Sequence, residues 1–320
     1  MKSLANLVLA LVSLTLAVPA ALAQSWPQRP VKFILPLGPG SGADITGRLL
    51  AERLSKQWGQ PVVVENRPGA DGVIAINAVL SARDDHTLLY GPASSFVGHP
   101  YTLEKVPYDA KDLVPVARVS NTVVALAVPA SLKVQSLNEL FALVRDEPGK
   151  LNFTAVTNVY DIIFNAYFKK SGLDMVKVSY KDTVSALNDL VEGRIQLYSA
   201  AYAIVRAQEK AGKVRVLAIH NRTRAPGVEA PTAAEAGFPE LQLDGLVGIM
   251  ASRSSGLSDA AREKIAGDVK THVSDPLITE RMTATGQIVN PGSPAEFAAA
   301  IDEQAKALAA HAKAIGGKLK

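Results

Sequence analysis

The sequence predicts an α/β fold of two lobes facing each other across a cleft, and three observations predict it. Strand-like and helix-like segments alternate along the 320 residues, the pattern of mixed, mostly parallel sheets covered by helices. A glycine-rich loop, Gly38-Pro39-Gly40-Ser41-Gly42-Ala43, joins the first strand to the first helix. Strand signals near residues 122 and 245 carry the chain out of one unit and back into it. No repeat, low-complexity tract or long linker interrupts the pattern.

The first strand is Val31 to Leu37, and its helix runs from about Asp44 to Trp58, with Ile45, Leu49, Leu50, Leu54 and Trp58 on one apolar face. Asp44 and Arg48 are four apart and can pair. Gly59 and Pro61 stop the helix. Pro61–Glu65 is the second strand, and Asn66 to Gly72 is a turn-rich loop. A helix through Ile76 and Val79 and a strand at Thr87–Tyr90 follow.

Val123–Val128 reads as the strand that leaves this unit. Ser136-Leu137-Asn138-Glu139 is a capping box, and Pro148-Gly149 ends its helix. Further helices span Asp161–Lys170, a segment capped by Thr183 through Leu187 and Leu190, and Tyr202–Lys210. Strands at Leu151–Phe153, Val176–Tyr180, Ile195–Tyr198 and Val214–Ile219 alternate with them. Thr232 to Glu235 is a second capping box. Leu246–Met250 is the return strand, and two last helices start at Ser258 and Ser293, the latter with proline at its first position. The domains expected are residues 24–122 plus 246–320 for the first lobe and 123–245 for the second.

Residues 1–23 read as a secretory signal peptide: a cationic Met1-Lys2, an apolar run from Leu4 to Ala20, and a small-x-small box ending at Ala23. Cleavage after Ala23 would release an exported, soluble chain. The sequence has no cysteine, which excludes disulfides, thiolate metal sites and lipid attachment after the apolar run. The formal charge is only +4, with acids and bases interspersed, so no basic block tracks nucleic acid.

The loop at 38–43 opens a helix, so its backbone N–H groups and the positive end of the helix dipole converge on one spot suited to an anion. Gly38-x-Gly40-x-x-Ala43, with Glu65 ending the next strand, also matches the dinucleotide fingerprint. Pro39 inside that fingerprint and export from the cytoplasm argue against a nicotinamide cofactor. Glycines serving only a tight turn are the remaining reading.

Hydrolysis lacks its parts. Ser41 is not in a Gly-x-Ser-x-Gly elbow, the five histidines are scattered, and no His-Glu-x-x-His occurs. In the second half, the stretch from Thr154 to Tyr160 is a counterpart of the first loop, with Thr157 or Asn158 serving either a ligand or a helix cap. Tyr198 and Tyr202 flank another strand-to-helix junction, as cavity wall or as core.

These residues, taken in order, resemble the periplasmic solute receptors of tripartite tricarboxylate transporters, the Bordetella-uptake-gene type. The matching pieces are Trp26-Pro27-x-x-Pro30-Val31, Pro36…Gly40…Asp44…Arg48, Val64-Glu65-Asn66-Arg67-Pro68-Gly69-Ala70 and Asp85-His86-Thr87-Leu88-Leu89. Later pieces are Pro107 through Val116, Pro148 through Phe153, Tyr180-Lys181, Ala211 through Ala218, and Pro231-Thr232-x-x-Glu235-Ala236-Gly237. The resemblance implies a Venus-flytrap receptor of type II, not an enzyme, without cofactor or metal. It would bind a small organic carboxylate as a monomer and hand it to membrane permease subunits.

By similarity, Gly38, Pro39, Gly40, Ser41, Gly42 and Ala43 grip the ligand's acid group, with Ser94 and Ser95 nearby. Ala155, Thr157, Asn158, Tyr160 and Tyr202 would face it from the second lobe. Asp44 and Arg48 would support the loop instead of touching an anion. The chain departs from the family's pattern at Ser41, Ala43, the bulky Ala155, Val156, Val159 and Tyr160, and at Asp182. Those changes favour a ligand with an apolar or aromatic body over aspartate. An exported hydrolase-like enzyme and a sensor module for a signalling partner are the competing functions.

Overall fold

A computed structural model describes residues 26–155, 157–180 and 182–318. The leader, Val156 and Lys181 lie outside the described residues. Two sheets form the frame. The first has six strands in the order β11-β4-β10-β3-β1-β2, built from β1 (Val31–Leu35), β2 (Val62–Asn66), β3 (Thr87–Pro92), β4 (Leu113–Thr122), β10 (Gly245–Ser252) and β11 (Gln287–Gly292). The second has five, β7-β6-β8-β5-β9, from β5 (Val124–Pro129), β6 (Asn152–Ala155), β7 (Val176–Lys177), β8 (Leu197–Ala201) and β9 (Val214–Ile219).

The sheets are mixed, and less parallel than the alternation of elements implies. β1 pairs parallel with β2 and β3, and β6 with β7 and β8. The strands that pass between sheets or return to them pair antiparallel: β10 with β3 and β4, β11 with β4, and β5 with β8 and β9. A returning strand enters its sheet from the opposite end, so it cannot continue the parallel order.

Helices α1 (Gly42–Trp58), α2 (Val73–Ala82), α7 (Asp259–Val273) and α8 (Pro276–Ala284) belong to the first sheet's unit. Helices α3 (Leu137–Asp146), α4 (Asn158–Ser171), α5 (Thr183–Val191) and α6 (Tyr202–Lys210) belong to the second. Helix α9 (Pro294–Ile315) packs on β4 of the first unit and on α4 of the second. Its Phe297 and Leu308 sit in one apolar cluster with Ile34 and Ile76 from one side and Phe153 and Ile163 from the other. The last helix is therefore shared between the lobes.

Helix α1 is seated by a close approach. Tyr90, on β3, is fully buried, stacks on Phe33 and meets the Thr46 hydroxyl at 3.1 Å. A Cβ at Gly47 would come within 3.1 Å of the buried Tyr90 ring and press on it, and glycine at this position leaves that contact relaxed. The buried face of α1 is Ala43, Thr46, Gly47, Leu50, Ala51 and Leu54. That corrects the expected face: Ile45 is exposed and Leu49 only half-buried. Small residues, not the large ones, let the helix reach the sheet.

Other expectations shift for local reasons. Asp182, not Thr183, caps α5, accepting from the amides of Val184 and Ser185. The first capping box is only half formed, because Glu139 accepts from Gln135 N–H instead of Ser136. The box at Thr232 and Glu235 forms in both directions but closes a turn, not a helix. Ser293 and Glu296 complete theirs at the start of α9. The sequence reading missed β4, β11 and α8. The first two carry polar residues inward, and these satisfy one another: Ser120 donates to the Gln287 side chain at 2.9 Å inside the sheet.

Among the described residues no helix is long and apolar enough to cross a membrane.

Candidate functional site

The loop after β1 is held in shape by its own acid. Ser41 is the N-cap of α1 and accepts from Asp44 N–H at 3.2 Å. Asp44 reaches back and accepts from Gly40 N–H at 3.0 Å. The other Asp44 oxygen takes Arg48 Nε at 3.0 Å and Asn66 Nδ2 at 2.9 Å. Asn66 Nδ2 also donates to Leu37 O at 2.9 Å, and Arg48 donates to Asn66 Oδ1 at 2.7 Å. Burial pushes the Asp44 carboxyl upward, but Arg48, the Gly40 amide and Asn66 together outweigh it and hold it below the ordinary aspartate value. Gly40 bends the loop at φ +82°, a left-handed conformation that glycine adopts without strain.

Asp44 consumes the Gly40 amide, so that N–H is not open to a ligand. The first two helical amides, Gly42 and Ala43, have no protein acceptor among the described residues. They open, at the positive end of α1, beside a cavity of about 400 Å³. Gly38, Pro39, Gly40, Ser41, Gly42 and Ala43 line it on one side, with Pro92, Thr122, Thr285 and Gln287 beside them. The second lobe contributes Thr183, Ala201, Ala203 and Ile204. Among the described lining residues none is charged.

The remaining expected site residues fall elsewhere. Ser94 and Ser95 lie in a short helical turn, Ser94–Val97, and neither lines this cavity; Ser95 is buried against Gly72. Ala155 packs against the core cluster. Thr157 begins α4 without capping it, and its hydroxyl is buried with no partner among the described residues. Asn158 reaches across to the first lobe, donating to Asp71 at 3.4 Å. Tyr160 is a correction: it turns inward and packs on His220 with ring centroids 4.6 Å apart. Tyr202 is another, buried in the second lobe's core, where burial beside Glu209 pushes its phenol up to about 12. The helix that starts at Tyr202 shows Ala203 and Ile204 to the cavity instead. Thr183 is free to do the same because Asp182 has taken the cap.

A nucleophile and a base do meet, but not in the cleft. Ser199 Oγ lies 3.0 Å from His220 Nε2, and both residues are fully buried. His220 Nδ1 faces the Leu241 carbonyl at 2.5 Å, so it carries the proton and no acid orients the ring. Burial pulls this imidazole down to about 4. The pair is a neutral core contact. His86 is likewise occupied, taking Gln28 N–H on one nitrogen and Asp85 on the other.

Two mixed α/β lobes around a cleft that one helix N-terminus enters define the class of two-lobed periplasmic binding proteins. The chain belongs to the tripartite tricarboxylate transporter family receptors, whose family profile matches residues 46–316. A UPF0065 protein of Bordetella bronchiseptica is 34% identical over 93% of this chain and 89% of its own length. Among solved structures, Rpa4515 of R. palustris with adipate is 26% identical, with a TM-score of 0.80, covering 91% of this chain and 99% of that one. MatC of Rhodopseudomonas palustris with bound malate is 26% identical, with a TM-score of 0.74, covering 88% and 100%.

Proposed function

We propose that this chain is an extracytoplasmic receptor that binds a small organic carboxylate between its lobes and delivers it to the permease of a tripartite transporter. The observation that carries the reading is the pair of amides, Gly42 and Ala43, at the start of α1, which have no protein acceptor among the described residues and lie beside a cavity whose other described walls are uncharged. A carboxylate there gains hydrogen bonds and the helix dipole, while its carbon body meets Pro39, Pro92, Ala203 and Ile204. The adipate and malate held by the two similar structures support the same class.

The moving units under this proposal are residues 24–122 with 246–320, and residues 123–245, hinged where β4 passes into β5 and where the chain returns to β10. The protein would act as a monomer in the periplasm after removal of residues 1–23, and no step would make or break a covalent bond in the ligand. Calorimetry and thermal-shift measurements against mono-, di- and aromatic carboxylates test this. Reversible one-to-one binding without turnover is the expected result. A chain that ignores every acid but binds a polyol or a metal ion overturns it.

A further inference from the structure

The cavity has a polar corner beside the two open amides. Gln287, at the start of β11, is buried, and neighbouring hydroxyls fix which end of its amide is which. Ser120 donates to Oε1 at 2.9 Å, and Nε2 donates to the Thr122 hydroxyl at 3.1 Å. An amide nitrogen carries two hydrogens, so one N–H remains, and it has no acceptor among the described residues. The carbonyl of Thr285, two residues earlier, accepts from no donor among the described residues. Both residues line the cavity. Both also lie against the first residue of α1: a Cβ at Gly42 would come within 2.9 Å of Gln287 Nε2 and 3.0 Å of Thr285 O. A spare donor and a spare acceptor are thus held close together, next to the Gly42 and Ala43 amides. Polar groups this enclosed ordinarily have partners.

We propose that Gln287, with the Thr285 carbonyl, reads a hydroxyl on the carbon that bears the ligand's acid group, which makes Gln287 a specificity-determining residue. The inference rests on the carboxylate-receptor reading and adds to it the group beside the acid. With the carboxylate on the Gly42 and Ala43 amides, the carbon next to it is the part of the ligand nearest the corner. A hydroxyl there accepts from Gln287 Nε2 and donates to Thr285 O, so it satisfies both groups. A keto oxygen satisfies only the donor, and a bare methylene satisfies neither. A site built around a hydroxyl rejects the analogue that lacks it, because that analogue strands the site's own polar groups. Gly42 belongs to the device, since a side chain there would press on Gln287 and Thr285.

The test uses the mature protein and two matched sets of acids. One is 2-hydroxyadipate, 2-oxoadipate and adipate; the other is 2-hydroxyhexanoate, 2-oxohexanoate and hexanoate, with each hydroxy acid as separated enantiomers. In at least one set the wild type is expected to bind one hydroxy enantiomer about tenfold or more tighter than the unsubstituted acid, the worth of one or two hydrogen bonds, with the keto acid between them. Gln287→Met keeps the length of the side chain but removes the N–H, and should bring that ratio toward one. Gly42→Ala keeps both backbone amides but crowds the corner, and should do the same. Equal weakening of every acid by Gln287→Met, with the hydroxy preference intact, would reduce Gln287 to a strut between β4 and β11 and overturn the inference. A wild type that in both sets binds the unsubstituted acid as tightly as the hydroxy acid overturns it while the receptor reading stands. Binding of no acid at all removes the receptor reading and the inference with it.

Discussion

The side-chain amide of Asn221 donates to the carbonyl of Thr122 at 2.9 Å, while its oxygen accepts from Val124 N–H at 3.0 Å. One buried side chain therefore clasps both sides of Val123, the single residue between β4 and β5. Val123 itself is tied on each face, donating to Gly286 O and accepting from Tyr202 N–H. The neighbouring Arg222 N–H meets Asp244, next to the strand that returns to the first sheet. Both crossings are thus joined at one point, which is where a hinge needs a fixed pivot.

Asn221→Ala would leave Thr122 O and Val124 N–H buried without partners. Each orphan costs about 1–3 kcal/mol, so a loss of roughly 2–6 kcal/mol is expected in urea or thermal unfolding. Asn221→Asp keeps the acceptor for Val124 but sets an oxygen against the Thr122 carbonyl, and should destabilise at least as much. A loss below about 1 kcal/mol for Asn221→Ala would mean that the clasp does not hold the crossing.

Asp44 shapes the binding loop through Gly40, Asn66 and Arg48, so Asp44→Asn should weaken carboxylate binding without entering the cavity. Its folded-state pKa is depressed, so its contribution to stability is fully present above the ordinary aspartate value and is lost as pH falls through the lower folded value. Melting temperatures of the wild type should therefore drop more steeply below roughly pH 4 than those of Asp44→Asn. Parallel acid limbs in the two proteins would contradict this.

Gly98 offers a test of the contact between the lobes. Its φ of −79° suits any residue, yet a Cβ there would come within 2.7 Å of Val159 Cγ2, on the opposite lobe. Gly98→Ala should lower the melting temperature, since a methyl 2.7 Å from the buried Val159 forces that side chain or the seam between the lobes to shift. It should weaken ligand binding several-fold and raise the radius of gyration of the liganded state in small-angle scattering. Unchanged affinity would show that the contact yields on closure.

What could be read from the sequence was the backbone's demands. Gly38 to Ala43 had to turn tightly between a strand and a helix, and the cavity lies along them. Which side chains face that cavity from the second lobe depended on which residue takes each cap and which face each helix buries. Asp182 outcompetes Thr183 for the α5 cap because its carboxylate accepts two amides at once, and this turns Thr183 to the cavity. Tyr202 is large and apolar enough to be drawn into the core, leaving small Ala203 outside. Asn66 read only as the start of a turn, because its role comes from β2 lying beside β1, which brings it to Asp44. The polar strand β4 hid for the same reason: Gln287, far along the chain, supplies its partner.

Two buried groups in the second lobe should give the protein opposing pH slopes. Burial pushes the Asp161 carboxyl up to about 6, against the ion pair with Lys177 at 2.7 Å, and one of its oxygens has no partner among the described residues. The folded state then holds this proton more tightly than the unfolded chain, so stability falls as pH rises from about 4 to about 6. His220 behaves in reverse. Its imidazole is pulled down to about 4 by burial, so protons favour the unfolded chain and stability rises with pH from about 4 to 6.5. In the wild type the two slopes offset one another between about pH 4 and 6. Asp161→Asn should expose the histidine slope, with stability climbing toward neutral pH. His220→Gln, which keeps a donor for Leu241 O and an acceptor for Ser199, should expose the opposite one. Chemical unfolding across that range checks both, and a wild-type profile in either variant would show that its group does not titrate as its burial requires.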